Sequence, residues 1–115
     1  MDELKFASDI AFTKKSLAFY CEEGSLSPLK AILNKTPELV NEPNNQGLTP
    51  LFIAIKNSNY EIASYLKLKG GDVNTRNKSG QTPLFWVAAN NNLEGVQCLL
   101  ELGANVNSYD NVKYL

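Results

Sequence analysis

The chain reads as an all-α solenoid of stacked helix–turn–helix units, and three observations lead there. Residues 44–76 and 77–109 align without a gap and are identical at thirteen of thirty-three positions. Each copy carries Gly-x-Thr-Pro-Leu-Phe near its start and Gly-x-x-Val-Asn near its end. Between these markers the apolar residues recur at helical spacing in two runs separated by a polar break. A fixed period of this length denotes units that cannot bury an apolar face alone and must stack on their neighbours. Stacked units of this kind have no central catalytic cleft.

Each element follows from its residues. Thr49 and Thr82 are N-caps, since a hydroxyl can accept a hydrogen bond from a free N–H of the first turn, and Pro50 and Pro83 occupy the first helical position, where no donor is needed. The first helices, over residues 50–57 and 83–90, are too short to persist in water and must pack. Asn57-Ser58-Asn59 and Asn90-Asn91-Asn92 break the chain. Second helices follow over 60–68, through Ile62, Ala63, Tyr65 and Leu66, and over 93–102, through Val96, Cys98, Leu99 and Leu100. Gly70 and Gly103 stand where a helix end takes a left-handed residue, and Gly47 and Gly80 fall in the turns between copies.

These motifs resemble the ankyrin repeat, with its 33-residue period and Thr-Pro-Leu-His-x-Ala signature. The resemblance is strong over residues 44–110: the turn glycine falls on Gly47 and Gly80, Thr-Pro-Leu on 49–51 and 82–84, and Gly-Ala-Asp-Val-Asn on 70–74 and 103–107. Residues 17–43, with expected helices over 17–23 and 28–34, resemble a divergent first repeat. The implied organisation is one ankyrin-repeat domain, an all-α solenoid with projecting β-hairpin-like turns. Residues 1–16 are an N-terminal cap or arm, and a helix through Leu4, Phe6, Ile10 and Phe12 is one form a cap would take. Residues 17–43, 44–76 and 77–109 are repeats, and 110–115 open a truncated repeat or form a tail.

Three departures from the family pattern carry expectations. The signature His is Phe52 and Phe85, and the chain has no His, so the polar stitching of neighbouring turns is expected to give way to apolar burial. Gly95 replaces the usual Ile of the second helix, which removes buried area and costs about 1 kcal/mol of helix propensity relative to Ala. The last full repeat is therefore expected to be the softer one. Val87 and Trp86 are bulky for their slots, so local repacking is expected, with Trp86 placed in the core rather than as an interface anchor.

Composition narrows the function classes. The 115 residues are 43% hydrophobic and carry a net charge of −1, which offers no clustered cationic excess for nucleic acid or an anionic membrane. Lys67, Lys69, Arg76 and Lys78 read as a solvated helix end and turn, with an acidic partner as the other reading. The N-terminus lacks a signal-peptide pattern and no eighteen consecutive residues are apolar, so a soluble, cytoplasmic protein is expected. Cys21 and Cys98 fall at apolar helix positions about two repeats apart. Reduced, packed thiols are expected there, because a disulfide needs Cα atoms within about 7 Å.

No catalytic constellation is present. The commonest base, His, is missing beside Ser or Cys, two Cys do not make a zinc site, and Glu22-Glu23 point in different directions on a helix. No enzyme, cofactor or metal is expected. What remains is surface: a non-enzymatic protein–protein interaction module, adaptor or inhibitor. The other reading is a structural or self-associating fragment or cap of a longer array. The resemblance implies that a protein partner is held by the turn tips and the exposed first-helix positions on the concave side. These are Asn45, Gln46, Leu48, Lys56 and Asn57 in one repeat and Lys78, Ser79, Gln81, Ala89 and Asn90 in the next, with Lys69 and Leu102 extending the strip. Leu48 draws notice as an apolar residue in a polar turn with no evident core to enter. The C-terminal edge, with Tyr109, Tyr114 and Leu115, is expected to fold back or to allow weak self-association of an otherwise monomeric chain.

Overall fold

In the computed structural model the chain is described over residues 2–106, with side chains from residue 9 onward. Six α-helices follow one another: α1 Asp2–Glu23, α2 Leu26–Lys35, α3 Pro50–Lys56, α4 Tyr60–Leu68, α5 Pro83–Ala89 and α6 Leu93–Glu101. A 3₁₀ turn, Pro37–Asn41, follows α2, and no strand is present among the described residues. The helices pair as α1 with α2, α3 with α4 and α5 with α6, and the first helices stack in the order α1, α3, α5. The helix expected over 17–23 begins much earlier, at Asp2, and runs unbroken. Of the residues suggested for a cap, Ile10 is half-buried and Phe12 exposed, while the side chains of Leu4 and Phe6 lie outside the described residues.

The caps form as the sequence dictates. Thr49 Oγ1 accepts from Phe52 N at 3.3 Å, and Thr82 Oγ1 accepts from Phe85 N at 3.1 Å. Both threonines are buried, and each satisfies a helix-start N–H that water cannot reach. At the polar breaks Ser58 and Asn91 take left-handed backbone, φ 60° and 57°, as does Gly24 in the first unit at φ 81°.

The turns between repeats are hairpin-like and built by asparagine. Asn44 N donates to Leu48 O and Gly47 N to Asn44 O, while Asn44 Oδ1 accepts from Gln46 N and Leu48 N. Asn77 repeats this pattern with Gly80, Ser79 and Gln81. Lys78 N donates to Gln46 O at 3.2 Å, which joins one turn to the next.

The core runs continuously between the helix layers, from Leu17, Cys21 and Leu29 through Leu51, Phe52, Ile55, Ile62 and Leu66 to Leu84, Val87 and Leu99. Phe52 is fully buried and Phe85 half-buried. Apolar burial thus occupies the His slot, most fully at Phe52, while polar bridges between repeats are made elsewhere. Asn41 Nδ2 donates to Gly70 O at 3.0 Å and its Oδ1 accepts from Asp72 N at 2.8 Å; one period later, Asn74 Oδ1 accepts from Asn105 N at 2.8 Å.

The Gly95 and Val87 departures turn out to be one feature. A Cβ on Gly95 would lie 2.7 Å from Val87 Cγ1. The equivalent pair one period earlier is Ala54 with Ile62, both buried. The two repeats exchange large for small across the same contact, so the area given up by Gly95 is partly restored by Val87.

Candidate protein-binding face

The side formed by the turns and first helices is indented by two adjoining depressions. The larger, of about 390 Å³, lies between α1 and the first turn, with Ala11, Lys14 and Ala18 on one wall and Pro43, Asn45 and Leu48 on the other. A Lys14–Glu42 ion pair of 2.8 Å spans its rim. The smaller, of about 290 Å³, continues across α3 to α5 and is lined by Glu22, Asn44, Gln46, Leu48, Ile53, Lys56, Asn57 and Trp86. Asn44, Leu48 and Ile53 are common to both.

Leu48 requires a correction. It is only 6% exposed and belongs to the core, so it is the floor of the depressions and not a projecting contact. Ala11, Leu17 and Ala18 of α1, which extends upstream of the first repeat, line the same depression and give Leu48 an apolar neighbourhood. Gln81, in the same slot of the next repeat, faces the seven-residue α3 and stays half-buried. Its Oε1 accepts from Asn77 Nδ2 at 3.2 Å, so this side chain is engaged in its own turn.

Of the remaining strip residues, Asn45, Gln46, Lys56, Asn57, Lys78, Ser79, Ala89 and Asn90 are all exposed. Asn57 and Asn90 also have structural work, for their Nδ2 groups donate to Ile53 O at 2.8 Å and Trp86 O at 2.7 Å and close the first helices. Trp86 is half-buried: it packs on the core and lines the smaller depression, with Lys56 Nζ 5.4 Å from its ring centroid. This cation–π contact holds Lys56 across the seam between repeats. Nothing in the sequence pattern alone distinguishes that half-exposed placement from full burial. Leu102 is half-buried against the core, whereas Lys69 leaves the strip and, with Lys30, lies against Tyr65 on the second-helix side, 5.6 and 5.3 Å from its ring centroid. Tyr109, Tyr114 and Leu115 lie outside the described residues.

The face offers area and shallow apolar relief, with little reactive chemistry. Burial, reinforced by the neighbouring Glu22 charge, pushes the Cys21 thiol up to about 12, which leaves it protonated and unreactive at neutral pH. Burial, with Glu101 adding to it, also raises the thiol of half-buried Cys98. Among the described residues no group of three or more His, Cys, Asp or Glu is placed to hold a metal, and no helix is long and apolar enough to cross a membrane.

Comparison with known proteins agrees with this architecture. Over 56 residues the chain is 40% identical to the NAD-capped RNA hydrolase NUDT12 of Macaca fascicularis, and equally to those of Pongo abelii and Homo sapiens. The matched stretch is 47% of this chain and 12% of each relative, so only a small part of those proteins is shared. The sequence model of ankyrin repeats, in three copies, matches residues 17–110. With its paired helices, capped Thr-Pro starts and asparagine-built turns, the chain belongs to the ankyrin repeat family.

Proposed function

We propose that the chain is a non-enzymatic protein-binding module, an adaptor or an inhibitor, whose partner seats on the turn-and-first-helix side. Ankyrin repeats mediate protein–protein interaction in general, and the observation that supports this side of the molecule is the pair of depressions floored by Leu48 and Ile53. Gln46, Lys56, Asn57 and Trp86 rim the smaller one, with Asn45 on the larger and Lys78 beside them. A half-buried aromatic ring beside a shallow groove fits the anchor role that such rings play in interfaces. Catalysis is not part of the proposal. The relatives' names state RNA hydrolysis, but the shared stretch is 12% of their length and that activity is not transferred. A cytoplasmic setting is part of the reading, since two free thiols at separate sites, one buried and one half-buried, fit a reducing compartment.

Photo-crosslinking probes the face directly. A crosslinker at Gln46, Lys56 or Lys78 should capture the partner, and one at Glu61 or Ser64 on α4 should not. With the partner in hand, Lys56→Glu combined with Lys78→Glu should weaken binding while the melting temperature stays nearly constant, because exposed substitutions shift stability by about 0.5 kcal/mol or less. Capture only from Glu61 and Ser64 would place the interface on the opposite side and reject the proposal.

A further inference from the structure

The second helices end in a row that the binding face does not use. Lys35, Leu68 and Glu101 are the last residues of α2, α4 and α6. They occupy one repeat position, each 33 residues from the next, and all three are exposed. Across the stack this position therefore reads cation, apolar, anion. Leu68, at 79% exposure, is among the most exposed large apolar side chains. Among the described residues the ion pair within 4.0 Å is Lys14–Glu42, and neither Lys35 nor Glu101 has an ion-pair partner among them. Gln97 Nε2 donates to Glu101 Oε1 at 3.3 Å and steadies that carboxylate.

We propose that this row is a homodimer contact, in which a second copy packs its second helices against the first about a two-fold axis parallel to the helices. That rotation carries the first unit of one copy opposite the last of the other while keeping helix ends at the same height. Lys35 then meets Glu101 of the second copy, Glu101 meets its Lys35, and the two Leu68 side chains meet on the axis. A sequence of cation, apolar and anion is self-complementary under that operation, and an isologous contact of this kind closes at two copies. Lys67, Lys69 and Leu100 each lie one residue, about 100° of helix rotation, from this row and flank it rather than share it.

The experiment is sedimentation velocity of the full chain over a concentration series. The wild type should show a reversible monomer–dimer equilibrium that weakens with added salt. Lys35→Glu or Glu101→Lys alone should raise the dissociation constant at least about tenfold, because like charges then face each other twice. Mixing the two variants should restore the dimer as a heterodimer, since all-anionic and all-cationic rows are mutually complementary. Circular dichroism melts check that each variant is folded. A wild type that stays monomeric, a dimer indifferent to both reversals, species larger than two, or variants that fail to pair on mixing would each overturn the proposal.

Discussion

Replacing Gly95 by Ala ordinarily stabilises a helix, and here it should do the opposite. In α6 the change offers about 1 kcal/mol of helix propensity. The new methyl would sit 2.7 Å from Val87 Cγ1 and 3.0 Å from Val87 Cβ, with Val87 fully buried and unable to swing away. Overpacking of that kind costs roughly 1–3 kcal/mol, so Gly95→Ala should destabilise the protein by about 1 kcal/mol net. Val87→Ala alone removes two buried methyls and leaves a void, a loss of about 2 kcal/mol. In the Val87→Ala background the 2.7 Å clash with Cγ1 is gone, though the Cβ of residue 87 stays 3.0 Å from the added methyl and the flexible end of Asn92 2.9 Å from it. With the space left by the two lost methyls letting both give by a few tenths of an ångström, Gly95→Ala should then stabilise by up to about 1 kcal/mol. The two changes are thus expected to couple by about 2 kcal/mol with a reversal of sign. Urea titrations followed by circular dichroism on the four proteins measure it. If Gly95→Ala stabilises the wild type, or the effects add within about 0.5 kcal/mol, the compensation between Val87 and Gly95 does not exist.

Other outcomes follow from the same structure. Leu48→Ala should cost about 2–3 kcal/mol of unfolding free energy in denaturant melts, because it empties the floor of both depressions; an unchanged midpoint would return Leu48 to the surface. Thr49→Ala should cost about 1 kcal/mol through its lost cap to Phe52 N, and Thr49→Ser should recover most of it. Ser58→Gly should stabilise by roughly 0.5–1 kcal/mol, since Ser58 is held at φ 60°. Gly70→Val should destabilise through backbone strain alone, because open space surrounds a Cβ there, so Gly70→Asn should be far milder. Stability should also fall in alkali. The unfolded Cys21 thiol loses its proton from near 9.0 while the folded one keeps it to about 12, so its contribution is complete below pH 9 and is lost across that interval at about 1.4 kcal/mol per pH unit. Cys21→Ala should flatten that part of the profile in pH-dependent melts; an unchanged slope would refute the assignment.

The helices were legible because their signals are local. Thr-Pro starts and glycine ends need nothing from the rest of the chain, so α3 to α6 fall within a residue of the expected bounds. What escaped was set by neighbours. Leu48 looks exposed in its own turn, yet it is buried in the core and shares a depression with Ala11, Leu17 and Ala18 of the long α1. Asn41 and Asn74 look like ordinary polar residues, yet their amide groups bridge to backbone one repeat away. Gly95 and Val87 each read as a defect, and only their contact in space shows the exchange of volume. The strip of exposed residues was read from the family pattern, while its relief, and the place of Trp86 on it, depended on packing across the seam.

The asparagine bridges have a consequence for how such a chain can change length. Asn41 contacts only main-chain atoms of its neighbour, Gly70 O and Asp72 N, and Asn74 likewise contacts Asn105 N. A side chain that reads main chain accepts any adjoining repeat, whatever its side chains, provided the spacing is a whole period. Duplication or loss of 33 residues leaves every bridge with a partner. A shift by part of a period leaves polar groups facing apolar neighbours. The seam therefore works as a reading frame in space: side chains on the binding face are free to drift from copy to copy while the increment of growth or loss stays one complete repeat.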